Sequence, residues 1–266
     1  MVSSRNFSPQ TKLYPAAAGL TRCLLPAHVT IGRAKIPTYP RKALRLGTDT
    51  NFPPQQFQRE DESDDSEFYS SPRLVVHIDD NAIAAVGRLF RDLIPPDSEV
   101  LDLMSSWRSH WPAGHPKRRM VGLGLNAPEM EDNPDLDQYV VHNINKDPVL
   151  PFEDESVDAV VITVSAQYLT RPVETFQQIN RVLRPGGVFI VTFSNRMFPT
   201  KAVLIWRQSS DRDRAELVSS YMEAAGNFSD IRTGFVNPDD SPPADPLFAV
   251  TCRKDSGDPE GTDPDS

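Results

Sequence analysis

The chain has 266 residues and a formal net charge of −9 at pH 7. That length accommodates one full α/β domain with tails and is too short for two large domains. No basic stripe offsets the acidity, which sets aside nucleic acid and anionic membrane as partners, and no apolar run is long enough to cross a bilayer.

Residues 1–48 hold eight Lys or Arg and no Asp or Glu, among many Ser, Ala, Thr and Pro. Without the long apolar core of a secretory signal, this composition reads as an organelle transit peptide, the alternative being a basic tail with no address. Residues 49–67, "DTNFPPQQFQREDESDDSE", read as an acidic solvated linker, and residues 255–266 as a disordered acidic tail. Cys23 and Cys252 cannot build a disulfide framework, and the five histidines show no metal-ligand spacing, so no metal is expected.

The folded unit is expected over residues 68–254. Ile83, Val86, Phe90 and Leu93 recur at helical spacing behind Asp79 and Asp80, which predicts a helix over 79–93 stopped by the prolines at 95 and 96. Strands follow at 99–104, 119–125, 138–144 and 157–165. A helix over 172–183 places Val173, Phe176, Ile179 and Leu183 on one face, and the "RPGG" turn leads into a fifth strand at 188–194. "FPTKAVLIW" and "DRAELVSSYMEAAG" read as helices, and 229–236 and 247–254 as the last two strands. Near-continuous β-branched runs belong to strands buried on both faces. The expected fold is therefore a doubly wound, Rossmann-like α/β sandwich on a seven-stranded, mostly parallel sheet. Ligands of such sheets bind beyond the carboxyl ends of the strands, where the strand order reverses. The informative residues are thus Met104–Arg108, Asn126–Glu129, Asn143–Asn145, Ser165–Tyr168 and Ser194–Arg196.

The stretch "LPFEDESVDAVVITVSAQYLTRPVETFQQINRVLRPGGVFIVTFSN" is similar to the region from beyond strand three to strand five of class I S-adenosylmethionine-dependent methyltransferases, type 11-like. A narrower resemblance, to a plant, algal and bacterial branch with a degenerate glycine loop, rests on Phe68–Tyr69, Pro72–Arg73, His77–Asp80, Ser105–Pro112 and Phe193–Arg196. The resemblance implies S-adenosyl-L-methionine as cofactor. Asp102 then orders its methionine end, and the glycine-loop positions fall on Met104, Ser106 and Arg108, with Ser105 beside them. Asn126 takes the place of the acid that grips the ribose. Asn143 and Ile144 lie at the adenine, and Ser165 begins the segment that closes the pocket.

The sequence departs from that pattern at the first loop. Non-glycine residues at a tight left-handed turn cost about 1–2 kcal/mol each, so the turn must follow another path. Pro112 and Pro116 leave room for at most two helical turns between Ser105 and Trp111. Asn126 lacks the charge-assisted strength of a carboxylate. Weak cofactor binding or a different ligand follows. Trp107 and Trp111, four apart, either line the pocket on one helical face or pack in the core. His110 is the candidate base for methyl transfer to oxygen or nitrogen. Trp107, Tyr168, Asn195 and Arg196 are candidate substrate contacts, the arginine either pairing with a substrate anion or serving a surface acid. Arg73, His77 and Asp79 read as helix capping or as part of a lid.

The leading expectation is a methyltransferase acting on a small molecule. The alternative is a non-catalytic binding or scaffold protein that kept the sheet and lost the cofactor. A nicotinamide-dependent dehydrogenase is set aside because no G-x-G-x-x-G follows the first strand. The basic segment favours the chloroplast, with the mitochondrion as alternative.

Overall fold

The computed structural model describes residues 52–236 and 245–257. The expected transit segment, Cys23 and most of the expected acidic tail lie outside the described residues. Seven strands form one sheet in the order β3-β2-β1-β4-β5-β7-β6. They are β1 (Ser98–Leu103), β2 (Lys117–Gly124), β3 (Gln138–Val141), β4 (Val157–Thr163), β5 (Leu183–Phe193), β6 (Phe228–Phe235) and β7 (Phe248–Lys254). The first five pair in parallel, and β7 runs antiparallel to both its neighbours. Strand order reverses at β1, which pairs with β2 on one side and β4 on the other. The doubly wound seven-stranded expectation is met.

Alternation along the strands sorts side chains to the two faces. Leu101, Leu103, Phe189 and Val191 join one core cluster, with Phe176 and Ile179 of α3 (Pro172–Val182) and Leu217, Val218 and Tyr221 of α5 (Asp211–Ala225). Val100, Ala159, Val161 and Ile190 join the other, under Ala82, Val86, Leu89 and Phe90 of α1 (Asp80–Leu93). Helix α1 starts where Asp79 accepts from the Ala82 amide at 2.9 Å, and α5 where Ser210 and Asp213 form a capping box. Two five-residue helices, α2 (Ala127–Glu131) and α4 (Leu204–Gln208), are accompanied by single helical turns at Pro54–Phe57, Asp65–Phe68 and Ala166–Tyr168. The helix expected from "FPTKAVLIW" is confined to α4. The segment before it is drawn onto the β4 tip, where the Val203 amide donates to Gln167 O at 3.0 Å.

Two further expectations are corrected. No helix follows β1: residues 104–116 form an irregular loop, broken by left-handed Met104 (φ 60°) and His110 (φ 57°) as well as by its prolines. Trp107 and Trp111 therefore share no helical face. Residues 52–67 are also not a solvated linker. Phe52 and Phe57 pack against Tyr221 with ring centroids 4.9 and 6.0 Å away. Fully buried Lys201 pairs with Asp61 at 3.2 Å and Asp65 at 3.4 Å. The acids that looked solvated in composition neutralise a buried cation.

The loop after β1 lies flat on the end of β2, where the Ser105 amide donates to Leu123 O at 2.8 Å. A Cβ on Gly124 would stand 2.2 Å from Ser105 O, whereas one on Gly186 (φ 74°) would meet nothing within 4 Å. Gly124→Ala should therefore cost about 2–3 kcal/mol in urea unfolding, as overpacking against backbone does. Gly186→Ala should cost about 1 kcal/mol, from left-handed strain alone. Equal losses in the two variants would show that the β1 loop does not rest on β2.

Candidate functional site

Beyond the carboxyl ends of β1, β2 and β4 lies a cavity of about 640 Å³. Its floor is Asp102, buried at the carboxyl end of β1. The Ser105 and Ser109 hydroxyls both donate to Asp102 Oδ2 at 2.6 Å, and Asn133 donates to Ser109 Oγ at 2.9 Å. Among the described residues, no cation is paired with this carboxyl. Burial pushes its pKa up to about 6, against the pull of the two hydroxyls.

At the β2 tip Asn126 caps α2, its Oδ1 accepting from the Glu129 amide at 3.0 Å. Its Nδ2 donates to Tyr69 O at 2.7 Å. Glu129, buried three residues on, accepts from the Ser106 hydroxyl at 2.5 Å and from the Arg73 amide at 2.7 Å. These bonds fasten a roof, residues 61–79, across the strand ends. Further along it, Val75 O accepts from the Trp107 indole at 2.9 Å, and Asp79 and Asp245 exchange backbone-to-carboxylate bonds of 2.7 and 3.2 Å. At the β3 side Asn145 holds Asp65 at 2.9 Å, and Asn143 reaches Asp64 at 3.4 Å.

The β4 and β5 tips close the cavity with aromatic rings. The Tyr168 hydroxyl accepts from the Phe198 amide at 2.8 Å, and the two rings stack with centroids 6.1 Å apart. Thr163 Oγ1 and Ser165 Oγ are buried beside them with no hydrogen-bond partner. Between them Val164 is held at φ 52°, a strained conformation for a β-branched residue. Three histidines, His77, His110 and His142, line the cavity, and burial holds the pKa of His77 and His110 below the ordinary value. His77 stands beside Phe198 (centroids 5.3 Å apart), and His110 stands between the opposing charges of Arg108 and Asp135. Both are neutral at pH 7 and able to accept a proton.

The expected residues Asp102, Met104, Ser105, Ser106, Trp107 and His110 do converge on this cavity. So do Asn126, Asn143, Ile144, Ser165, Tyr168 and Arg196. Asn195 does not: it is exposed and outside the lining. Arg196 sits at the rim, paired with Asp245 at 2.8 Å, so the surface-acid reading of this arginine is the one realised. The two tryptophans part company. Trp107 lines the cavity beneath the Arg108 guanidinium (3.9 Å), while Trp111 packs toward Phe90 with centroids 6.1 Å apart. Asp79 does cap α1, whereas Arg73 and His77 enter the cavity wall. Glu129 and Phe198 carried no role in the sequence reading. The Asn126-x-x-Glu129 spacing, a helix-start pattern, was the available signal for the former. Phe198 had none.

Residues 119–191 match the family described as a methyltransferase domain. Among solved structures the chain is similar to the (4+2)-cyclase SpnF, at 15% identity over 72% of this chain and 92% of that one, with a TM-score of 0.51. It is also similar to an S-adenosylmethionine-dependent methyltransferase from Mesorhizobium loti (17% identity, 64% and 98% coverage, TM-score 0.46). A methyltransferase of the same dependence from Aquifex aeolicus gives 14% identity, 77% and 100% coverage and a TM-score of 0.46. No curated protein matches the sequence. Strand order and the reversed last strand define a Rossmann-like α/β fold, and the match to a methyltransferase domain over residues 119–191 agrees with the resemblance to the class I methyltransferase superfamily read from the sequence.

The cofactor of that superfamily fits the residues present. The cavity is of the size that holds a nucleoside-bearing ligand. Asp102 keeps its place, and the orphaned Thr163 and Ser165 hydroxyls mark polar positions short of a partner. Asn126 and Asn143, which the resemblance assigns to the ribose and the adenine, are engaged by the roof, so a nucleoside bound there would have to exchange those bonds for its own.

Asp102 makes the site pH-sensitive. Its folded pKa of about 6 lies above the ordinary 3.8, so the folded state holds more protons than the unfolded state between those values. Stability contributed by this group is greatest below about pH 4 and is lost as pH rises through about 6. Urea titrations should show Asp102→Asn without this decline and more stable than the parent at neutral pH. An unchanged pH profile in Asp102→Asn would assign the decline to other groups.

Proposed function

We propose that the chain is an S-adenosylmethionine-dependent methyltransferase acting on a small molecule. The observation that carries this reading is the roofed cavity at the β1–β4 reversal, with buried Asp102 on its floor and unpartnered hydroxyls in its wall. Bound there, the cofactor would supply an electrophilic sulfonium methyl group. Asp102 and Ser105 would hold its amino-acid end, Asn126 and Glu129 the ribose, and Asn143 with Ile144 the adenine. Methyl transfer is an in-line displacement, and the main task of the protein is to hold the nucleophile close and aligned while excluding water. The roof and the Tyr168–Phe198 pair serve that exclusion. His110, neutral and within the lining, takes the proton released by an oxygen or nitrogen acceptor. The acid-free residues 1–48 support a plastid address, with the mitochondrion as the alternative.

A second reading, a binding protein without methyl transfer, is favoured by one observation. The amides facing the nucleoside are satisfied within the chain. A fold of this kind also serves other chemistry, as the name of the cyclase SpnF records.

Thermal unfolding with S-adenosylmethionine or S-adenosylhomocysteine separates the two. Ligand at a hundred times its dissociation constant should stabilise the protein by about 2.7 kcal/mol. Asn126→Asp loses the donor to Tyr69 O and offers the ribose a charged acceptor, which should tighten S-adenosylhomocysteine binding about fivefold. No stabilisation of either protein at millimolar ligand would leave the binding-protein reading standing.

A further inference from the structure

We propose that Arg73 is the receptor for a carboxylate on the methyl acceptor, and that the acceptor is a small planar acid, aromatic or conjugated. The assignment of the carboxylate to an acceptor rests on the methyltransferase reading above; the anion site itself does not.

Among the described residues, the charged groups of the cavity are otherwise provided for. Arg196 pairs with Asp245 at 2.8 Å, and Arg108 lies 3.8 Å from Asp132. Asp102 takes two hydroxyls, and Glu129 takes a hydroxyl and a backbone amide. Arg73 is different. Its Nη2 donates to Phe68 O at 2.9 Å, while its Nη1 is buried with no hydrogen-bond partner. Glu129 is bonded to the backbone amide of Arg73 and forms no ion pair with its guanidinium.

A buried guanidinium nitrogen without an acceptor leaves a donor unsatisfied, which a planar oxyanion relieves through paired N–H donors. The surroundings of Arg73 select the rest of such a ligand. Its Cζ lies 4.3 Å from the Phe68 ring centroid, 5.2 Å from that of Phe198 and 5.4 Å from that of Tyr69. Tyr168 stacks on Phe198 behind them, and neutral His77 stands on its other side. Burial keeps the Tyr69 and Tyr168 phenols protonated, so they add no negative charge to this wall, and the acids near it are engaged, Glu129 by the Ser106 hydroxyl and the Arg73 amide and Asp65 by Arg59 and Lys201. A flat, apolar, singly charged molecule meets rings along its faces and the guanidinium at its end. Asp102 is fastened to the β1 loop, whereas Arg73 is surrounded by rings from the roof and the β5 tip, which directs the carboxylate toward the acceptor half of the cavity.

A carboxylate also stands at the amino-acid end of the cofactor, and the test distinguishes the two sources. Binding to the full chain is measured by calorimetry for benzoate and cinnamate and for their neutral amides, with and without S-adenosylhomocysteine. S-adenosylhomocysteine is compared with 5′-methylthioadenosine, which lacks the carboxylate. The acids should bind at least tenfold more tightly than the amides. Arg73→Gln should bring the acids down to the amide level, and Arg73→Lys should recover part of the difference, with S-adenosylhomocysteine affinity within twofold of the parent. Thermal unfolding of both variants shows whether they are folded. Acids no tighter than amides in the parent, or acids unaffected by folded Arg73→Gln, overturn the proposal. A tenfold loss of S-adenosylhomocysteine with methylthioadenosine unchanged would give Arg73 to the cofactor and also overturn it. Arg73-dependent binding of the acids with no nucleoside binding would refute the methyltransferase reading while leaving the anion site in place.

Discussion

A carboxyl group buried at the end of β1 without a cation must find hydroxyl or amide donors, and Asp102 finds them in the loop that follows it. The Ser105 and Ser109 hydroxyls reach back to Oδ2, each at 2.6 Å, which folds residues 104–109 over the strand tip rather than into a helix. That path requires a left-handed Met104 and close approach to β2, and Gly124 permits the approach because it has no Cβ. The glycines absent from the first loop are thus compensated one strand away. The same loop delivers Ser106 to Glu129 and Trp107 to Val75, so the roof is fastened by residues that the Asp102 network positions.

The roof is anchored at its other end by charge. Lys201 has no exposed surface, and it is met by Asp61, Asp65 and the Ser63 carbonyl, while Arg59 joins Asp65 at 2.6 Å. Two cations sharing a buried carboxylate are costly to separate, on the order of 3–5 kcal/mol when one partner is removed. Between that anchor and the Asp79–Asp245 pair, the roof crosses the cavity on single hydrogen bonds to Asn126, Glu129 and Trp107. Such bonds contribute about 1 kcal/mol each. The ends are fixed, and the span between them is the part that a ligand can displace.

The fold was legible because its signals are local and repeated: β-branched runs for the parallel strands, helical spacing at Ile83, Val86 and Phe90, and the apolar face of α3 at Val173, Phe176 and Ile179. The positions of the strand tips followed from topology, which pointed to Asn126, Asn143 and Ser165, while Asp102 came from the family resemblance, and all four line the cavity. The misreadings share a physical origin. The helix expected over 105–111 was judged by proline spacing, which says nothing of a hydroxyl–carboxylate network that only burial makes favourable. The acids of residues 49–67 looked solvated because their partner, Lys201, is more than a hundred residues away in sequence. Asn195 was placed by adjacency to Arg196, but the chain turns out of the cavity there. Glu129 and Phe198 lie in the wall because of how α2 and the β5 tip are tethered, and neither tether has a sequence period.

A doubly wound sheet presents its strand ends to whatever the loops build above them, and the chemistry depends on which polar groups are left wanting. In this cavity Asn126 and Asn143 are satisfied within the chain, so a ligand bound to them would exchange one set of hydrogen bonds for another and gain little net energy. The groups left unsatisfied are Thr163, Ser165 and Arg73, at the β4 tip and in the roof. Free energy released by filling those positions is available to displace the roof from Asn126 and Asn143. A ligand that filled those positions and one that took up Asn126 and Asn143 would thereby be linked through the roof, each favouring the other. The left-handed strain held at Val164, between Thr163 and Ser165, places a conformationally costly residue where such a linkage would act.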